Sequence, residues 1–395
     1  MKILILSSEF YPFRGGIGTY AMEMAKAASE AGHEVTVVAA DYGGAEDQNF
    51  PFRILRYPGG QHRMRDIPKK IALVLRLARE EPNFDIVHAA DWPFYLPLAL
   101  SRYRGRSRCI LAFHGTEVTF LQHPKRALPL AMLRFWNGWA DYVANSTDTA
   151  ERLRAAFGLT QETVRIARLG VGRAWLSGRR SRQEARQTLA IPPQRFLIAS
   201  LGRVVPRKGY DLLAEALAQL PPEIAADIEW QIIGPFIRMA YADRLKVATA
   251  RLACRTIITG ELPWEEVALR LSAADLFCLP GQRLEGGGVE GFGLVYLEAG
   301  ALGLPSLATD IGGISDAIDH GEGGLLVPPN DPAALAGAIL ELYRNPAERA
   351  RLAAGALRRA QASSWGKAAA ETYGYDSAIP GERDPEIMPM HEALP

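Results

Sequence analysis

Three cysteines in 395 residues, Cys109, Cys254 and Cys278, are too far apart for a C-x-x-C metal site and odd in number. A disulfide framework is excluded, which points to the reducing cytoplasm. Long apolar runs are missing as well: no window approaches the roughly 18 residues of a membrane-spanning helix, so any membrane contact is expected to be peripheral. The opening apolar run is too short for a secretory leader and meets Glu9 and Pro12 instead of a cleavage site, so it reads as a first strand. Nor is there a surplus of one charge. The 45 Lys+Arg face 44 Asp+Glu, a net of +1, which argues against nucleic acid or another polyanion as partner. Low-complexity tracts are absent, and 48% apolar with 23% charged residues is the balance of an ordinary globular protein.

What is present is a repeated α/β pattern. The length allows two domains of about 150 to 200 residues, each with its own core. Short apolar runs at residues 3–6 and 35–39 flank an amphipathic stretch at 20–30 closed by Gly32, a β-α-β unit. Further strands are expected at 86–88, 110–114 and 142–145, and a second series at 196–202, 229–234, 256–259, 276–280, 305–309 and 324–327. Strands separated by helix-length segments predict parallel sheets covered on both faces, hence two Rossmann-like, doubly wound lobes. The first lobe would span 1–172 and the second 173–362, with the segment 363–395 packing back on the first and its tail from 381 having little reason to order.

Three clusters carry chemistry. Gly15-Gly16-Ile17-Gly18 stands before a helix expected to open near Thr19, where bare amides and a helix N-terminus suit a phosphate. Residues 16–21 also fit a G-x-G-x-x-A dinucleotide fingerprint, with Asp41 for a ribose, although seven residues separate the first strand from Gly16. In the second cluster, Gly202 to Gly209, Arg203 and Lys208 lie at a strand's C-terminal end, where open α/β sheets bind ligands and where two cations suit a diphosphate. The third is Glu290-Gly291-Phe292-Gly293 followed by Glu298. In one continuous helix its carboxylates would stand about 80° apart. A loop carrying Glu290, with a helix beginning near Leu294, suits the two glycines better. Carboxylates there can accept from sugar or ribose hydroxyls.

A G-G-x-G loop, an R-x4-K pair and an E-G-F-G-x4-E segment, in this order across two lobes, resemble the retaining glycosyltransferases of family 4, which have the GT-B fold. The likeness runs from Lys2 to about Tyr373 and includes Gly312-Gly313-Ile314 and residues 321–328. It implies two lobes facing a cleft, the first for the acceptor and the second for the nucleotide-sugar. It implies that Arg203 and Lys208 hold the donor diphosphate, Glu298 the ribose, and Glu290 the hydroxyls of the transferred sugar. Amides of Phe292, Gly293 and Leu294 would lie near phosphates and sugar, and Gly16 near the phosphates. His114, which ends a strand before Gly115, resembles the family's active-site histidine. Asp91, Trp92 and Glu117 are candidates for the acceptor side. No D-x-D occurs anywhere, so the resemblance implies a metal-independent, cofactor-free hexosyl transfer with retention, the leaving diphosphate being neutralised by Arg203, Lys208 and a helix dipole. The segment 280–289 resembles that of phosphatidylinositol mannosyltransferases, which use GDP-mannose, but UDP-hexose branches carry similar loops, so a UDP- or GDP-sugar remains open. Polysaccharide, glycolipid or cell-envelope synthesis is the expected setting. The rival readings are an NAD(P)-dependent oxidoreductase or epimerase and a non-catalytic sugar-nucleotide-binding protein.

Charge is unevenly distributed. Residues 1–172 hold 22 Lys+Arg against 17 Asp+Glu, leaving 23 against 27 for the remainder. Arg63, Arg65, Lys69, Lys70, Arg76 and Arg79 border an apolar stripe, and Arg102, Arg104, Arg106 and Arg108 form a second group. Such a helix can lie on the anionic inner face of a membrane, which makes that surface, with a glycan, lipid-linked or small-molecule acceptor, an expected partner.

Overall fold

The computed structural model describes residues 1–13, 15–43, 47–59 and 63–376. Chain contacts divide it into two units: Met1–Leu169 with the segment from Trp365 onward, and Gly170–Ser364. These boundaries fall a few residues from those expected at 172/173 and 362/363. The two crossing segments pair with each other, Val171 N–H donating to the Ser363 carbonyl at 2.9 Å.

The first unit holds seven strands: β1 (Lys2–Ser7), β2 (Glu34–Ala40), β3 (Arg53–Tyr57), β4 (Ile86–Ala89), β5 (Arg108–Phe113), β6 (Asp141–Ala144) and β7 (Val164–Ile166). All pair in parallel, in the order β3-β2-β1-β4-β5-β6-β7. The inner strands β1 and β4 are covered on both faces, which is why they read as mainly apolar runs, interrupted in β4 by the buried His88. The edge strands β3 and β7 are only partly buried and were not anticipated: β3 mixes Arg53 and Arg56 with its apolar residues, and β7 is only three residues long.

The helix Trp365–Tyr373 belongs to this unit and packs against the helix Gly16–Glu30. Its C-terminal carbonyls are capped by cations, as the helix dipole favours. Arg108 donates to the Tyr373 carbonyl, and Arg165 donates to those of Glu371 and Thr372, each at 3.1 Å. Asp141 holds both guanidinium groups, at 2.7 and 2.9 Å. The tail beyond residue 376 lies outside the described residues.

In the second unit, β8 (Phe196–Leu201), β9 (Ile228–Ile233), β10 (Arg255–Gly260), β11 (Leu276–Cys278), β12 (Ser306–Thr309) and β13 (Gly324–Val327) form a parallel sheet ordered β10-β9-β8-β11-β12-β13. Each sheet therefore reverses its winding once, between β1 and β4 in the first unit and between β8 and β11 in the second. Loops leaving the C-terminal ends of those strands border the crevice where such sheets take ligands.

Candidate active site

In the second unit the loop after β8 and the loop after β11 meet at the reversal point. Residues Pro206–Lys208 make one 3-10 turn, ended by Gly209 at φ +70°. A Cβ on Gly209 would stand 1.7 Å from the Pro280 carbonyl oxygen, so only glycine lets the two loops approach. Gln282 N–H donates to the Arg207 carbonyl at 2.9 Å, and the Arg207 guanidinium donates to the Val289 carbonyl at 3.3 Å. Two buried tyrosines brace the loops from below: Tyr210 donates to the Gly202 carbonyl and Tyr296 to that of Leu279, both at 2.7 Å.

This bracing brings together Lys208 and Glu290. Lys208 Nζ lies 2.9 Å from Glu290 Oε2, with side chains 11% and 14% exposed. The contact is an ion pair by distance, while Oε2 has no partner of hydrogen-bonding geometry. Burial pushes the Glu290 carboxyl up, but Lys208 foremost, then Arg207 and Arg203, pull it down to about 2. Gly313 N–H donates to the Glu290 carbonyl at 2.9 Å, so the Gly312-Gly313 turn fixes this residue's backbone. Arg203 is exposed just beyond β8. Phe292 is buried, Gly293 caps the helix Leu294–Ala301, and Glu298 sits half-buried in that helix, as the loop-then-helix reading expected. The arrangement presents a cluster of cations and a helix N-terminus beside an ionised carboxylate, able to meet phosphate and hydroxyl groups together. The sequence alone assigns no role to Arg207, Tyr210 or Tyr296. Only Arg207 had a visible signal, its place between the two expected cations.

The first unit holds the other candidates. Gly15 is the N-cap and Gly16 the first residue of the helix Gly16–Glu30, which opens three residues before the expected Thr19. A Cβ on Gly16 would meet no atom within 4 Å, so its backbone faces open space. The dinucleotide reading does not fit this geometry: residues 16–21 are helical, and β1 ends at Ser7, far from the tight turn that such a fingerprint needs. Asp41 follows β2 but accepts from Gly43 N–H at 2.9 Å in a local turn.

His114 follows β5 directly. Its Nε2 is 2.8 Å from the Ala90 carbonyl, which can only accept, so Nε2 carries a proton and donates to it. Glu117 and Asp91, expected on the acceptor side, turn inward instead. Glu117 is 2% exposed and accepts from His114 N–H at 3.1 Å, while Asp91 is 0% exposed and accepts from Ser8 N–H at 3.0 Å. Both orient the backbone at the sheet's C-terminal edge. Trp92 is half-buried, its ring 4.3 Å from that of Phe120, over which Arg126 stacks at 3.6 Å.

The basic stripe of residues 63–79 also needs correction. Lys70 is wholly buried, its Nζ 3.3 Å from Ser8 Oγ and 5.4 Å from the Phe94 ring centroid. Burial lowers its pKa, while Asp91 and Asp66 raise it. Ile67, Val74, Leu77 and Ala78 are buried too, so this helix spends its apolar face on its own unit's core, and Arg108 is pinned to the C-terminal helix. No helix among the described residues is long and apolar enough to cross a membrane.

Comparison with known proteins agrees with the two sheets. A family model described as glycosyl transferases group 1 matches residues 181–359, and one described as glycosyltransferase family 4 matches residues 14–174. Over 361 residues the chain is 30% identical to a GDP-mannose-dependent alpha-(1-6)-phosphatidylinositol monomannoside mannosyltransferase of Mycolicibacterium smegmatis, covering 89% of this chain and 91% of that protein. Over 390 residues it is 29% identical to a D-inositol 3-phosphate glycosyltransferase of Pseudarthrobacter chlorophenolicus, covering 92% and 91%. Among solved structures it is similar to sucrose-phosphate synthase of Thermosynechococcus elongatus, with TM-score 0.78, 23% identity and coverage of 94% and 97%. The Anabaena protein HepE, in complex with UDP and glucose, matches with TM-score 0.74, 21% identity and coverage of 95% and 98%. With a relative at this identity along nearly its whole length, and with both units matched, the chain belongs to the family 4 glycosyltransferases and has their GT-B fold.

Proposed function

We propose that this glycosyltransferase moves a hexose from a UDP- or GDP-sugar to a hydroxyl acceptor with retention of anomeric configuration and without a metal. The observation that carries this is the Lys208–Glu290 pair at the reversal point of the second sheet, ringed by Arg207 and Arg203 and facing the helix that starts at Leu294. Arg203 and Lys208 grip the diphosphate, the amides near Gly293 add partial positive charge, Glu298 takes ribose hydroxyls and Glu290 takes those of the sugar. Gly16, with open space at its Cα and at the start of its helix, is the first unit's candidate for a phosphate. The bond between the anomeric carbon and the phosphate oxygen breaks. The acceptor oxygen bonds to that carbon on the same face, and its proton passes to the departing phosphate. His114, its ring orientation fixed by the Ala90 carbonyl, is the first unit's candidate for the transfer step.

The relatives named above take GDP-mannose with a phosphatidylinositol mannoside, or act on inositol 3-phosphate, which supports a lipid-linked or inositol-like acceptor in envelope or glycolipid synthesis. Three free, buried cysteines favour the cytoplasm. Anionic membrane contact, if through the first unit, is carried by the helix Pro124–Met132, whose Leu128 and Met132 are 66% and 78% exposed beside exposed Lys125 and Arg134. Thermal unfolding with UDP, GDP and NAD added in turn tests the enzyme class. At 100 times its dissociation constant a ligand adds about 2.7 kcal/mol, and we expect this from UDP or GDP. Stabilisation by NAD alone would overturn the reading.

A further inference from the structure

Beneath His114 lies a buried polar chain that the transfer chemistry does not use. His88, on β4, is 0% exposed, with Nε2 3.2 Å from the Tyr20 hydroxyl and Nδ1 3.0 Å from the Tyr373 hydroxyl. Burial, with a smaller push from His114, lowers the His88 pKa to about 3, so the ring is neutral: one nitrogen donates and the other accepts. Tyr20 stands in the helix that opens at Gly16, and Tyr373 ends the helix Trp365–Tyr373. The Tyr20 ring meets three others edge-on: His114 at 4.7 Å, His88 at 5.7 Å and Trp365 at 6.2 Å.

A core built only for packing would place apolar side chains here, since two hydroxyls and an imidazole gain little net stability once removed from water. What the polar chain adds is orientation. Each hydroxyl fixes one nitrogen of the same ring, and that ring fixes Tyr20, whose flat face or edge then limits how the neighbouring imidazole can turn. The end of β4 acts on His114 twice, through His88 and Tyr20 on one side and through the Ala90 carbonyl, 2.8 Å from Nε2, on the other.

We propose that His88 is a positioning residue for His114: held by Tyr373 on one nitrogen and holding Tyr20 with the other, it fixes the Tyr20 ring against the His114 imidazole. The returning C-terminal helix thereby sets the ring that faces the reaction. This rests on the reading that His114 acts in the transfer.

The test uses the full chain with His88→Leu, which removes both hydrogen bonds, Tyr20→Phe, which removes one hydroxyl from an otherwise unchanged ring, and His88→Gln, whose amide still reaches Tyr20. His88→Leu and Tyr20→Phe are expected to lower kcat roughly tenfold with the donor KM within about twofold, and His88→Gln to recover most of that loss. Independently of turnover, nitrogen NMR of the His114 ring is expected to show shifted ring resonances in His88→Leu and Tyr20→Phe relative to the wild type, because the Tyr20 ring 4.7 Å away is no longer held in place. A wild-type His114 spectrum in both variants, or unchanged kcat with a changed spectrum, would overturn the proposal. Because the spectrum needs no substrate, it decides the coupling even if the wild type transferred no sugar, which would instead defeat the transferase reading.

Discussion

Lys208 Nζ and Glu290 Oε2 lie 2.9 Å apart, so the cation expected to receive the diphosphate is already engaged by the carboxylate expected to receive the sugar. A diphosphate bound as proposed would place further negative charge beside Glu290. Lys208 must then serve both anions, with Arg203 and Arg207 sharing the load. Replacing Lys208 or Arg203 by Ala should remove about 2 to 4 kcal/mol of transition-state stabilisation, roughly a hundred- to thousandfold in rate. Glu290→Gln removes the repelling charge, so it should bind free UDP or GDP about fivefold more tightly, near 1 kcal/mol, while turnover falls. Calorimetric titration and initial rates check both. Wild-type turnover in both cation variants would refute the site.

The same pair makes stability depend on acid. Glu290 has its carboxyl held at about 2, below its ordinary 4.5, so the folded state binds its proton less readily than the unfolded chain. The contribution is fully present above pH 4.5, shrinks as pH falls toward 2 and is absent below it. At neutral pH it is on the order of 3 kcal/mol. Glu290→Gln should therefore be less stable than wild type at pH 6, with the difference shrinking below pH 4.5 and gone only below pH 2. Parallel urea-denaturation curves for the two proteins across that range would contradict this.

Much of the fold was legible because its inner strands are buried on both faces and announce themselves as apolar runs. β3 and β7 escaped for the opposite reason: edge strands need be apolar on one side only, and Arg53 and Arg56 broke the run in β3. The loop-then-helix form of residues 290–298 was readable from two glycines, as was the cationic loop after β8. The pairing of Lys208 with Glu290 was not, since it depends on two loops 82 positions apart being brought together by sheet order. Lys70 misled for a related reason. Its charge suggested a surface, but Asp91, Asp66 and the Phe94 ring give it a buried environment that no local pattern records.

The absence of any D-x-D, with two or three cations at the diphosphate site, leads us to expect metal independence. Initial rates in EDTA should match those without it. Loss of activity that magnesium or manganese restores would mean that the phosphate site is incomplete as drawn.

Membrane contact, if made by the helix Pro124–Met132, should depend on its exposed residues and not on the helix Ile67–Glu80. Leu128→Ser with Met132→Ser should abolish cosedimentation with anionic vesicles, and binding should fall with salt. Lys70→Ser is the wrong probe, because removing that buried cation disturbs the core around Asp91. No binding to anionic vesicles at low salt would favour a soluble acceptor.

Gly312 provides the sharpest structural test of the site. Its φ of +61° already disfavours other residues, and a Cβ would stand 2.3 Å from the Glu290 carbonyl oxygen and 3.2 Å from Val289 Cβ. The neighbouring Gly313 N–H holds that same carbonyl at 2.9 Å, so alanine at 312 has to push away the segment that carries the carboxylate. Gly321 is the control: its φ is +76°, yet a Cβ there meets nothing within 4 Å. Gly321→Ala should cost only the backbone strain, about 1 to 2 kcal/mol, and keep normal turnover. Gly312→Ala carries the same strain plus the displacement of Glu290, so it should lose about 3 kcal/mol or more and roughly a hundredfold in rate. Urea denaturation and initial rates on the two variants separate strain from displacement. Equal turnover in both would mean that the position of Glu290 does not matter to the reaction.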